Sequence, residues 1–339
     1  MAVLQVTWFV LIGLLLTGYA VLDGFDLGVG FWHLFAKKDV DRRVFLAAIG
    51  PVWDGNEVWL LVAGGALFAA FPPVYATTFS GLYLALILVL AGLIFRAVSI
   101  EFRNQVDNSR WRSAWDVAFG VGSIIPGLLF GVAMGNILRG FPLDESGNFA
   151  GTFLGLLNPY SLMVGVTGLS MFATHGAVYL MLKTEDELRK QVRLWAFWAW
   201  GAYFVSFAFV TIWSLVAYPA LVSNFVRMPI SFLVPLLAFV AIVIIPIAVW
   251  RDGAMEAFLA SAISIVGLMA IVGLGIFPNL VPSLGDATRS LSIQNASSSY
   301  KALLVMLVIA LVGMPLVLGY TIFVFRTFKG KVRLSKEAY

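Results

Sequence analysis

The chain has 339 residues, of which 61% are hydrophobic and only 12% charged, and its mean hydropathy is +0.94. A water-soluble fold of this size needs about twice that share of charged residues to cover its surface, so a soluble enzyme, a disordered protein and a nucleic-acid binder of the usual kind are excluded. The pI near 9.3 reflects a net charge of only +4, and its bases sit in short loops, where they act as membrane topology signals. There is no Cys and there are only two His, which leaves no disulfide framework, no thiolate metal site and no Cys nucleophile.

A helix crossing the hydrocarbon core needs about 20 apolar residues. Stretches free of Asp, Glu, Lys and Arg, taken in chain order and extended to their helix ends, predict nine helices over 5–35, 51–71, 76–96, 115–138, 160–182, 194–217, 229–250, 256–277 and 302–326. The first is too long for a signal peptide and has no basic start. Pro72-Pro73 divides the second from the third, since proline stops a helix and opens the next one. Two loops, 139–159 and 279–300, are longer, and the second is too polar to span. The expected fold is therefore all-α, a single polytopic membrane domain over 1–339, divisible into two four-helix bundles and one extra helix.

Orientation follows from the bases. Of the 22 Lys and Arg, all except Arg139, Arg227, Arg289 and Lys301 fall on one side, from Lys37 in the first loop to Lys336 in the tail. Cytoplasmic loops hold such an excess, which places the N-terminus outside and the C-terminus in the cytoplasm.

Ionisable groups inside a bilayer are costly and are functional hypotheses by default. Asp23 and Asp26 lie three residues apart in the inner half of the first helix and so share a face, with His33 two turns further on. Asp54 and Glu57 repeat the spacing at the start of the second helix, Arg96 ends the third and Asp116 starts the fourth. Five acids thus share one zone with one close base. Burial and like-charged neighbours favour the neutral acid, so some of them are expected to hold a proton, to pair with a partner protein or to face water. Asp54, Glu57 and Asp116 have a second reading, as acids favoured at helix N-termini by the macrodipole. Asp23 and Asp26 are too far from a helix start for that. They read as a proton path or as partners of Arg96. The small-residue run Gly24-Phe25-Asp26-Leu27-Gly28 suits close helix packing, and Trp53 an interface or packing role. A lone membrane histidine such as His175 is more often a hydrogen-bonded packing residue than a haem ligand.

Val21-Leu-Asp-Gly-Phe-Asp-Leu-Gly-Val-Gly30, Trp53-Asp-Gly-Asn-Glu-Val-Trp59, Gly64-Gly-Ala-Leu-Phe-Ala-Ala70 and Arg110-Trp-Arg-Ser-Ala-Trp-Asp116 together resemble subunit II of cytochrome bd quinol oxidase, as does Leu291-Ser-Ile-Gln-Asn-Ala-Ser-Ser298. The resemblance implies a prokaryotic plasma-membrane complex that oxidises ubiquinol or menaquinol, reduces oxygen to water and builds a proton gradient. It implies that subunit I holds two b-type haems and one d-type haem, and that this chain holds no haem, no metal and no catalytic residue. It leaves room for a small single-helix subunit and a bound quinone. Asp26, Asp54, Arg96 and Asp116 match the family pattern, whereas Glu57 and His175 stand where the family often has Gln. The expected sites are a proton route through Asp23, Asp26, Asp54 and Glu57, and structural charge partners Arg96 and Asp116. The alternatives are a proton-coupled secondary transporter, disfavoured because the acids cluster in one half instead of at the middle of two matched repeats, and a purely structural assembly protein.

Overall fold

The computed structural model describes residues 1–334; Lys336, counted above among the bases of the tail, lies outside the described residues. The described chain is almost entirely helical. The helix α1 (Ala2–His33) is about 48 Å long at 1.5 Å per residue, well beyond a hydrocarbon core of about 30 Å. A short amphipathic helix α2 (Asp39–Ile49) follows. It is opened by Asp39 and Asp41 in its first turn, where acids suit the helix dipole, and it buries Phe45, Leu46 and Ile49. The sequence pattern treated this segment as a loop because it is too short and too charged to span.

Next come α3 (Trp53–Ala70) and α4 (Pro72–Gly81). Phe71 separates them, and the two prolines occupy the first turn of α4, where a missing N–H costs nothing. Then α5 (Tyr83–Phe102) carries the chain on. The expected third helix, 76–96, thus comprises the end of α4 and most of α5, and it runs six residues past Arg96. Likewise α6 (Ser109–Arg139) begins six residues before the expected 115. The side chain of Asn108 caps it by accepting from the amides of Arg110 and Trp111. A single turn, α7 (Phe153–Leu156), leads to α8 (Pro159–Lys183), whose cap is Asn158 with proline behind it.

The second half holds α9 (Asp186–Ala217), α10 (Ser223–Arg227), α11 (Leu233–Trp250) and α12 (Ala254–Ile276). The polar loop forms a two-stranded antiparallel ribbon, β1 (Asn279–Val281) with β2 (Leu291–Ser292), and α13 (Tyr300–Thr327) ends the helical chain.

Eight of these helices are long and apolar enough to cross a membrane. Asp54, Asn56 and Glu57 in its first turns keep α3, at 18 residues, out of that set. The core is built around α8, which packs against α1, α6, α9 and α12 and has 67% of its most apolar window buried, against 6% for α13. The closest approach is between α1 and α8. A Cβ on Gly28 would lie 1.9 Å from the Phe172 carbonyl oxygen and 2.8 Å from the Gly176 nitrogen. Only glycine fits there.

Candidate functional site

Two clusters of charged side chains line α1, both toward the end of the molecule that carries most of the bases. The inner cluster starts from Asp23 and Asp26. Three residues apart on a helix, they project from one face, and both are fully buried. Arg96 reaches Asp23 from α5 as a two-pronged pair. Its Nη1 donates to Oδ2 at 2.9 Å and its Nη2 to Oδ1, the planar fork that suits a carboxylate. Arg96 is fully buried as well. Gly122 makes this possible, because a Cβ there would lie 2.6 Å from the Gly92 oxygen and 2.9 Å from the Arg96 nitrogen, so α5 and α6 meet backbone to backbone.

Glu57 approaches the same guanidinium, with Oε1 at 3.5 Å from Nη2. Asn56 of α3 donates its Nδ2 to Asp26 Oδ2 at 2.8 Å. Among the described residues, Asp26 Oδ1 and Arg96 Nε have no hydrogen-bond partner, and neither does the buried hydroxyl of Tyr19, one turn before Asp23. Three carboxyls are therefore gathered around one guanidinium, which pairs with Asp23 and approaches Glu57. Such a set is costly in a low-dielectric interior unless protons or water complete it.

The second cluster surrounds Asp116. Its Oδ1 accepts from His33 Nε2 at 2.6 Å and from Arg103 Nε at 2.6 Å, and its Oδ2 from Arg42 Nη1 at 2.7 Å. Arg103 also donates Nη2 to Asp39 Oδ1 at 2.6 Å. Asp39 and Arg42 are partly exposed, while His33 is fully buried. The cluster therefore runs from the protein surface to the foot of α1, tying α1, α2, α5 and α6 together.

The structure brings Asp23, Asp26, Glu57 and Arg96 together and separates the rest. Asp54 is exposed in the first turn of α3, a position favoured by the helix dipole. The same explanation does not hold for Asp116. It lies seven residues into α6, and Asn108 caps that helix instead. Asp116 does serve as a charge partner, but of Arg103 and Arg42 and not of Arg96. His33, expected on a face with Asp26, turns to Asp116. Trp53 is half-buried against the main core, and a Cβ on Gly24 would meet the Phe172 ring at 2.7 Å.

Sequence reasoning missed Asn56, and it took Arg42 and Arg103 for loop bases. A signal for Arg103 was available: it lies seven residues after Arg96, two turns on along the same face, once the helix is carried past Arg96.

His175 is fully buried. Its Nε2 donates to the Val21 carbonyl at 3.0 Å, its Nδ1 is hydrogen-bonded to Ser261, and its ring stacks on Phe258 with centroids 4.8 Å apart. Both ring nitrogens are engaged, so it does not fit an axial haem ligand. Among the described residues, no group of three or more His, Asp and Glu could hold a metal ion. An apolar cavity of about 500 Å³ lies between α1, α6, α8, α9 and α12, with Leu16, Tyr19, Phe130, Phe172, Phe207 and Leu268 in its walls.

The family model described as cytochrome bd terminal oxidase subunit II matches residues 4–328. The chain is similar to cytochrome bd-I ubiquinol oxidase subunit 2 of Escherichia coli K12, with 37% identity over 99% of this chain and 96% of that one. It is also similar to cytochrome bd ubiquinol oxidase subunit 2 of Bacillus subtilis, with 34% identity over 98% of each. Among solved structures, that of bd oxidase from Geobacillus thermodenitrificans shares the fold. Its TM-score is 0.79 at 18% identity, covering 96% of this chain and 98% of that one.

Proposed function

Since the chain belongs to the family of cytochrome bd terminal oxidase subunit II, we propose that it supports the haem-bearing subunit I and carries protons from the cytoplasm toward the site where oxygen is reduced to water. The electron donor is a quinol, ubiquinol or menaquinol, and the haems, two of b type and one of d type, belong to subunit I. The assembly lies in a prokaryotic plasma membrane and accommodates a small single-helix subunit. Family membership sets aside the transporter alternative.

In this proposal α3, 18 residues long, is a ninth crossing. The N-terminus lies outside and the C-terminus inside. A reporter active only in the cytoplasm is expected to work when fused after the last residue and to stay silent in the loop near Pro142. The reverse result overturns the orientation.

The observation that carries the proton role is the inner cluster. Asp26 is fully buried and has one amide donor and no cation of its own, beside a pair that already uses Arg96. Oxygen reduction consumes protons, and in a bilayer these need a polar path. Asp54 stands at the cytoplasmic mouth, Glu57 half-buried behind it, and Asp26 and Asp23 at the inner end. Asp26→Asn keeps the shape and removes the ionisable proton. It is expected to slow oxygen consumption per haem about tenfold, within the range that proton-transfer groups contribute, with haem content unchanged. Wild-type turnover at every pH ends the proposal.

The cavity supports a second element of the reading, a bound quinone. Its apolar walls and its volume suit an isoprenoid tail. Extraction of the purified complex and chromatography of the lipid fraction test it.

A further inference from the structure

The route through Asp26 leaves the buried ring of His33 unused. His33 is fully buried and bonds Asp116 Oδ1 through Nε2 at 2.6 Å. A carboxylate already accepting from two arginines takes a proton from the ring and gives none back, so Nε2 carries the hydrogen and Nδ1 carries a lone pair. Among the described residues that lone pair has no partner. A carboxylate that orients an imidazole in this way also offsets the charge of the imidazolium when it forms. The charged groups facing the ring are Asp116 from α6, Arg103 from α5 and Arg42 from α2, and Asp39 balances Arg103 on its far side. Two guanidiniums and two carboxylates leave the neutral ring in a site of no formal net charge.

Position gives this ring a use. The partly exposed Asp39 and Arg42 connect its cluster to the basic surface. One turn up the same face of α1 is Gly30, where the buried Ser123 Oγ occupies the space a Cβ would fill, 1.9 Å from it. One turn further is Asp26. Positions 26, 30 and 33 form one helical stripe, about 10 Å long at 1.5 Å per residue, and the Ser123 hydroxyl, which donates to the Phe119 carbonyl at 2.8 Å, lies against its middle residue.

Resting on the reading of this subunit as a proton carrier, we infer that His33 loads protons onto the route at a cytoplasmic entry of its own, beside the one at Asp54. Nδ1 takes a proton from hydronium arriving past Asp39 and Arg42, and the imidazolium is held against Asp116. Nδ1 then gives its proton to the Ser123 hydroxyl, which turns from the Phe119 carbonyl and releases its own proton to the Asp26 carboxylate, and the neutral ring is restored. Each transfer breaks one bond to hydrogen and makes one: hydronium O–H for Nδ1–H, Nδ1–H for Ser123 O–H, and Ser123 O–H for Asp26 O–H. Asp116, Arg103 and Arg42 are positioning residues.

The test is oxygen consumption per haem in the assembled complex over about pH 5 to 9, the range around the ordinary histidine transition, for wild type, His33→Gln and Asp26→Asn. Gln keeps an N–H for Asp116 and cannot take up a proton. It is expected to slow turnover about tenfold and to change the shape of the pH profile, with haem content unchanged. A His33→Gln profile like wild type while Asp26→Asn is slow overturns the role of His33 and leaves the route. Wild-type profiles in both variants overturn the route itself. Lower haem content with an unchanged profile per haem makes His33 a packing residue and overturns its role. Should His33→Gln fail to assemble, Ser123→Ala decides. It removes one buried hydroxyl from the stripe and is expected to slow turnover about threefold, at the weak end of proton-transfer effects. Wild-type turnover in that variant overturns the inference.

Discussion

The two clusters lie on one face of α1 and treat their carboxylates in opposite ways. Around Asp116 one carboxylate accepts from two arginines and a histidine. Around Asp23 three carboxyls gather around a single arginine, and one oxygen of Asp26 has no donor among the described residues. The first arrangement saturates its carboxylate and clamps four helices, with the buried Nδ1 of His33 left open among the described residues. The second is short of cations and donors, as the proposed proton route requires. Excess negative charge in a membrane interior is costly to keep, so the two sets make opposite demands within a few turns of one helix.

Breaking the inner pair is expected to have the largest effect. Arg96→Gln leaves Asp23 buried without its cation, which costs about 3–5 kcal/mol, and the complex is expected to lose haem and fail to survive detergent extraction. Replacing both partners by apolar residues of similar volume sharpens the point. Asp23→Leu with Arg96→Met is expected to restore most of that stability while turnover stays impaired. Thermal retention of the haem spectrum reads the first effect and oxygen consumption per haem the second.

The outer cluster is expected to respond less. Asp116→Asn keeps the shape but removes the charge that both arginines share. Arg103 retains Asp39 and Arg42 is partly exposed, so the cost is about 1–3 kcal/mol, read as a lower midpoint of thermal inactivation. A loss as large as that of Arg96→Gln would erase the distinction between the clusters. The smallest effect is expected at Asp54. It is exposed, so Asp54→Asn should change stability by less than about 0.5 kcal/mol and slow turnover only where protons are scarce, at high pH. Wild-type rates there would move the mouth of the route away from α3 and toward His33.

Helix boundaries account for much of what was misplaced. Charge was used to end each helix, which stopped one at Arg96 and began the next at 115. Both extend six residues beyond those limits: α5 runs to Phe102, with the Asp116-paired Arg103 at its end, and α6 starts at Ser109, where Asn108 caps it. The same rule hid α2, whose charged first turn made it look like a loop although Phe45, Leu46 and Ile49 pack into the core.

Composition and spacing were enough to establish a membrane protein of many helices, the end at which the acids gather, and the pairing of Asp23 and Asp26 on one face, because those properties depend on local hydropathy and on the period of a helix. The motifs carried the family likeness for the same reason, being contiguous runs. The partner of each charge depended on contacts between residues far apart in the chain. Asp23 lies 73 residues from Arg96 and His33 lies 83 from Asp116. The approach of α5 to α6 at Gly92 and Gly122, which brings Arg96 and Asp116 to α1, decides which carboxylates are paired.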